Sequence, residues 1–153
     1  MKINENIIVG DTGFKINEKN IICIATNSDV TLNSDANYQN KFILFDNIIN
    51  QSGDKLSYNN NGVKINDGVS KVKVSLWVGF YSSGGNQGIN IYKDWARAGH
   101  WESFDTGAYS RCISNYILEV EKDDLIQATY YFASKGMSAT IYSNSFMTVE
   151  VIE

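Results

Sequence analysis

Between Lys71 and Tyr81 the chain alternates without a break. Val72, Val74, Leu76, Val78 and Phe80 fall on one side, and Lys71, Lys73, Ser75, Trp77, Gly79 and Tyr81 on the other. Successive side chains of an extended strand point to opposite faces, whereas a helix repeats about every 3.6 residues, so this pattern commits the segment to a strand with one face in a core. The rest of the chain must supply the opposing layer. Leu125 to Ala133 offers it, with Ile126, Ala128, Tyr130 and Phe132 alternating with Leu125, Gln127, Thr129 and Tyr131. A third strand, Phe146 to Ile152, is rich in β-branched residues.

Weaker strands are expected at Ile21–Ala25, Lys41–Ile49, Leu56–Asn59, Gly62–Ile65, Gly88–Tyr92, Tyr109–Glu121 and Met137–Tyr142. Turn-forming runs separate them: Ser52-Gly53-Asp54, Asn59-Asn60-Asn61-Gly62, Asn66-Asp67-Gly68, Ser82-Ser83-Gly84-Gly85-Asn86 and Lys122-Asp123-Asp124. Helical periodicity is hard to find. Many short strands joined by frequent turns make an all-β sandwich or jelly roll. Residues 1–40 are less regular and read either as an N-terminal arm or as outer strands of the domain formed by residues 41–153.

With 153 residues, 43% of them hydrophobic and 20% charged, the chain has the balance of a soluble globular protein that needs neither disulfide nor metal to hold a core. Cys23 and Cys112 each sit in an apolar run and read as buried free thiols, with a disulfide between them as the alternative. A net charge of −4 without clustered Lys and Arg argues against a nucleic-acid partner. No apolar run is long enough for a membrane span or an export signal, so no membrane insertion is expected. Proline is absent while Asn, Ile and Lys abound, a usage that suggests an AT-rich coding genome such as that of a low-GC bacterium or its virus.

Catalytic chemistry is hard to assemble from these residues. His100 is the only histidine, and it lacks the companions that a triad or a zinc site requires. No cofactor motif, metalloprotease helix, nucleophile elbow or phosphate loop is present. The expectation is a protein that is not an enzyme and uses no cofactor; a glycan-acting enzyme whose carboxylates meet across loops is the alternative. The most informative segment runs from Asp94 to Phe104, where Trp95, Arg97, His100, Trp101 and Glu102 occur without strand alternation. Indole faces flanked by charged groups suit sugar rings, which makes these five residues a candidate glycan or receptor site. Alternatively Trp95 and Trp101 plug the end of the sandwich and Arg97 pairs locally with Asp94 or Glu102. Calcium binding is not assignable from the spacing of the acids.

From Phe45 onward the chain resembles the C1q-like branch of the C1q and tumour-necrosis-factor jelly rolls. The likeness lies in Phe45-Asp46-Asn47-Ile48-Ile49-Asn50, Leu56-Ser57-Tyr58, Asn61-Gly62-Val63-Lys64-Ile65 and Asp67-Gly68 ahead of the strand from Val69. Towards the end, Val120-Glu121-Lys122-Asp123-Asp124-Leu125-Ile126 is similar to the family's turn into its penultimate long strand, and Asn144-Ser145-Phe146 to the lead into the last. The chain departs from the pattern at Asp123, where glycine is usual, at Val63, where Phe is frequent, and in lacking proline before the second glycine.

The resemblance implies a homotrimer. Trp77, Tyr81 and Tyr131, bulky rings on strand faces opposite the core, are the candidate trimer-interface residues; cover by the N-terminal segment is the alternative. Such domains occur in virion and surface proteins of low-GC bacteria and their phages. The implied role is therefore a phage tail, baseplate or head-fibre component, or a bacterial surface protein, that partners itself, other structural proteins and a host cell-surface saccharide. A purely structural knob that trimerises a fibre is the alternative.

Overall fold

The computed structural model describes residues 7–10, 13–16, 19–34, 39–59, 61–83, 87–103, 109–133 and 135–153, with the side chains of 7–16, 39, 101–103 and 109 excepted. The strands in chain order are β1 (Ile7–Gly10), β2 (Gly13–Ile16), β3 (Ile21–Ala25), β4 (Val30–Asn33), β5 (Gln39–Phe42), β6 (Asn47–Ser52), β7 (Leu56–Asn59), β8 (Gly62–Ile65), β9 (Lys71–Ser82), β10 (Gln87–Lys93), β11 (Ala96–Ser103), β12 (Tyr109–Glu119), β13 (Leu125–Phe132), β14 (Ser138–Ile141) and β15 (Phe146–Val151). No helix occurs among the described residues. Apart from the β1–β2 hairpin, the strands form two antiparallel sheets.

Sheet one is built on β9, whose length lets it pair along one edge with β12 and along the other with β15 and β14 in succession. Beyond these lie β3 against β15 and β4 against β14, and β6 closes the sheet against β3. Sheet two is built on β13, with β10 and then β11 on one edge, and β8 and β5 sharing the other. β7 pairs outside β8. Ile21–Ala25, from the segment read as an arm or outer strands, is paired on both edges, between β15 and β6.

The inward side chains follow the period of two. Val72, Val74, Val78 and Phe80 of β9 and Ile126, Ala128, Tyr130 and Phe132 of β13 are each 0% exposed, and face one another with Ile22, Ile24, Met147 and Val149. Each Val, Ile, Phe or Met among them contributes about 1.5–3 kcal/mol when fully removed from water. Phe80 meets Tyr130 edge-on at 5.3 Å, and Tyr130 tilts against Phe132 at 4.8 Å. The Tyr130 hydroxyl stays satisfied in this dry setting by donating to Gln87 Oε1 at 2.6 Å, and burial pushes its pKa up.

Three expectations need correction. The strand expected over Lys41–Ile49 is two strands on different sheets: β5 pairs with β13, β6 pairs with β3, and Ile43 and Phe45 enter the core as the chain crosses between them. A run of alternating apolar residues looks the same whether it stays in one sheet or changes layer. The Tyr58 hydroxyl holds the crossing by donating to the Phe45 carbonyl at 2.8 Å. Second, the two cysteines are free but unlike: Cys112 is buried, with its thiol pushed up to about 11 by desolvation, whereas Cys23 is only half-buried. Third, the segment read from Asp94 onward as lacking strand alternation is, as far as Ser103, a tight turn followed by the edge strand β11, and Phe104 lies outside the described residues.

Candidate functional site

The β10–β11 hairpin carries the five residues read as a ligand site. Its two-residue turn places Asp94 at φ 47° and Trp95 at φ 69°, both left-handed, a backbone state that matches hairpin twist but is unusual for a ring as large as indole. Asp94 holds the turn: its N–H donates to the Leu125 carbonyl at 3.1 Å, and its Oδ1 accepts from the Leu125 N–H at 2.8 Å. A hydrogen bond with Asp124 raises the Asp94 pKa.

Trp95 is 72% exposed and touches Phe42 edge-on at 5.5 Å, so it does not plug the sandwich. β11 escaped sequence reading for an identifiable reason. The register slips between Ile91 and Tyr92, which pair with Gly99 and Arg97, so Ala98 is a bulged residue and the period of two is interrupted. Gly99 is also needed there, since a Cβ would lie 2.8 Å from the Tyr116 ring. That ring ties the edge strand to sheet one: the Tyr116 hydroxyl donates to the His100 carbonyl at 2.7 Å and accepts from the His100 N–H at 3.1 Å.

Trp95 stands apart from the others whose side chains are described: it sits at the turn, whereas Arg97 is exposed opposite Tyr92, and His100 pairs with Asn90 about 7 Å further along at the usual strand rise. The side chains of Trp101 and Glu102 lie outside the described residues. His100 belongs to a polar layer on the outer face of sheet two. Asn90 Nδ2 donates to Asn40 Oδ1 at 2.6 Å, which leaves Asn90 Oδ1 as the acceptor at 2.6 Å for His100 Nδ1–H. Thr129 Oγ1 donates to the same Asn40 oxygen at 3.3 Å, and the His100 ring lies edge-on to Tyr131 at 6.3 Å. Among the described residues, no group of three His, Cys, Asp or Glu is gathered as for a metal ion.

Tyr131 is therefore separated from Trp77 and Tyr81, with which it was grouped as an interface residue: it is on sheet two, and they are on sheet one. Strand alternation assigns a side chain to a face of its own strand, not to a sheet. Trp77 and Tyr81 do share the outward face of sheet one. Trp77 stacks on Phe146 of β15 at 5.9 Å with the rings 11° apart, and the Arg111 guanidinium of β12 lies 5.9 Å from the Trp77 ring centre.

Beside them β12 presents two residues that sequence reading did not single out: Ile113, opposite Trp77, and Ile117, opposite Lys73. Each is 66% exposed, and Tyr81 is 41% exposed. The signal was weak because both sides of β12 mix polar and apolar residues. Arg111, Ile113, Asn115 and Ile117 alternate with Cys112, Ser114, Tyr116 and Leu118, so alternation alone does not choose the inward side. The result is a sheet face with aliphatic and aromatic groups left in water.

No family model matches the chain, and no curated protein is significantly similar to it in sequence. Solved structures are similar in fold. The Eiger TNF of S. frugiperda superposes with a TM-score of 0.68 at 9% identity, over 88% of this chain and 93% of that one. The globular domain of zebrafish complement 1qA gives 0.55 at 16% identity, over 88% and 98%. The PRD1 vertex protein P5 gives 0.59 at 10% identity, over 88% and 97%. The two-sheet antiparallel sandwich described above is thus a TNF/C1q-like jelly roll. At such identities the likeness is one of fold.

Proposed function

We propose that this chain is a non-enzymatic structural module that assembles as a homotrimer through the outward face of sheet one. The observation that carries the reading is the exposure of Ile113 and Ile117, each 66%, in line with Trp77, Phe146 and Tyr81 on one sheet face. Burying such a face against copies of itself removes apolar area from water in every protomer, and closed symmetry limits growth. A sandwich of the same fold in a PRD1 vertex protein supports placing the module in a virion, with a bacterial cell surface as the other setting and further structural proteins as partners. His100 is engaged by Asn90 and so is poorly placed as a general base, which favours assembly over catalysis.

Size-exclusion chromatography with light scattering at low micromolar concentration tests this. The mass expected is three times that of the 17.1 kDa chain. A monomer overturns the assembly and leaves the fold intact.

A second reading rests on Trp95. An indole held in a left-handed turn and 72% exposed is costly in both backbone strain and hydration, by about 1–3 kcal/mol for the strain alone, and such strain concentrates where ligands bind. On this reading the hairpin tip docks a host-surface saccharide. Trp95→Gly is expected to abolish binding to a glycan array or purified cell wall while leaving the melting temperature equal or higher, because glycine adopts positive φ freely. Unchanged binding removes Trp95 from any adhesive role.

A further inference from the structure

Strand β12 lies at an edge of sheet one. It pairs with β9 from Tyr109 to Glu119 without a register shift, and no other described strand pairs with it. Just beyond its end the Val120 N–H donates to the Ser70 carbonyl, on the β9 side, at 3.0 Å. By the alternation of an antiparallel ladder, the backbone groups of Arg111, Ile113, Asn115, Ile117 and Glu119 therefore point off the sheet. The Glu119 carbonyl does so, accepting from Lys93 Nζ of sheet two at 3.2 Å. No described residue takes up those groups of Ile113, Asn115 or Ile117.

Open edges are ordinarily blunted by charge, proline or a bulge. The edge strand β11 has its bulge at Ala98, and β6 has one between Ile48 and Asn50. From Cys112 to Leu118, β12 has no charge, no proline and no bulge. Its exposed side is also self-complementary about Asn115. In an antiparallel pair of two copies with a two-fold axis there, Asn115 faces Asn115, Ile113 faces Ile117, and Arg111 faces Glu119, each unlike pair occurring at both ends. These are the residues whose backbone groups point off the edge, so the same register supplies the hydrogen-bonded pairs. Moving the axis by one residue sets Arg111 opposite Ile117, or Glu119 opposite Ile113. Both charged groups are exposed, Arg111 beside the Trp77 ring and Glu119 opposite Lys71, and no ion pair among the described residues holds either.

We propose that β12 pairs antiparallel with β12 of a second copy about a two-fold axis at Asn115, joining sheet one of both copies into a continuous sheet. The contact runs along the strand edge, outside the face assigned above to the trimer. It does not depend on the three-fold contact: pairing doubles the mass whether the unit that pairs is one chain or three. A single strand pair is a small contact, and small contacts are weak. Pairing is therefore expected at concentrations about 100-fold above the low micromolar range that reports the trimer.

The experiment follows the mass of the full-length protein across that range by light scattering and native mass spectrometry. The wild-type mass is expected to double. Arg111→Glu and Glu119→Arg each set like charges opposite one another at both ends of the pair, and each should raise the pairing dissociation constant at least about tenfold. An equimolar mixture of the two variants should recover pairing, because one carries carboxylates at both 111 and 119, the other guanidinium groups at both, and only unlike copies match. With one variant ¹⁵N-labelled, the doubled species should contain both. Circular dichroism of each variant should overlay the wild type, since both side chains are exposed. A wild-type mass that does not double, pairing undiminished in either variant alone, or a mixture that pairs no better than its components would each overturn the proposal. A pairing unit of one chain instead of three would overturn the trimer and leave the edge contact standing.

Discussion

Replacing Ile113 and Ile117 together by glutamate is expected to turn the proposed trimer into a monomer without unfolding it. Each isoleucine is 66% exposed in the single protomer, so the apolar surface it loses to a partner is worth about 1–2 kcal/mol, and each protomer contributes both. Glutamate removes that gain and adds the cost of carrying a carboxylate into a dry contact, which exceeds any surface effect. Together these raise the dissociation constant by at least about 10³-fold, enough to dissociate the assembly at micromolar concentration.

The protomer tolerates the change because both side chains point away from the core. Lys73 stands opposite position 117, and Arg111 lies on the same face as position 113, so the new carboxylates find cationic neighbours in the monomer. Light scattering should report the mass of one chain, and circular dichroism should show an unaltered β spectrum. A variant that remains a trimer would show that copies meet elsewhere.

Phe80→Ala is the substitution expected to cost most in the fold itself. Phe80 is 0% exposed, sits edge-on to Tyr130 at 5.3 Å, and lies on β9 where that strand is paired on both sides, with Ser110 and with Ile141. Strands clamped on both edges cannot close in on the space a phenyl ring leaves. The loss should therefore fall at the high end for aromatic truncation, about 3–5 kcal/mol, a large share of the roughly 5–15 kcal/mol that holds a domain together. For a chain of this length that lowers the melting temperature by roughly 10 °C or more. Chemical denaturation should give the same loss with an unchanged slope. A loss below about 1 kcal/mol would mean that Phe80 packs against a yielding wall.

The legible parts of this protein were those where one side of a segment is apolar and the other is not. β9 satisfies that condition, and Val72, Val74, Leu76, Val78 and Phe80 on its apolar side are buried; β13 buries its apolar side too, together with Gln127 and Thr129 of the other. The same rule explains the failures. In β12 both sides are mixed, so Ile113 and Ile117 passed unnoticed; in β11 the bulge at Ala98 broke the alternation, and a strand looked like a loop. In β5 and β6 the apolar pattern continues while the chain changes sheets, so one strand was read where two exist.

The candidate sites divide along the same line. That Trp77 and Tyr81 face away from the core was evident from their parity, opposite to that of Val72, Val74 and Val78, and they do share one surface. That Tyr131 belongs to the other sheet, against His100, depends on which strands pair. On the outward face of sheet one, Gly79 has Trp77 beside it, Arg111 of β12 opposite it and Tyr142 from the turn after β14 against it, and no local pattern joins residues so far apart in the chain.

By itself the sequence determined that the chain is all-β and which faces of its clearest strands are dry, because side-chain period and residue type are local properties. Only the tertiary structure decided which strands became neighbours and which outward residues met on one sheet. Those outcomes come from pairings between segments distant in the chain, and an alternating strand presents the same face whichever neighbour it takes.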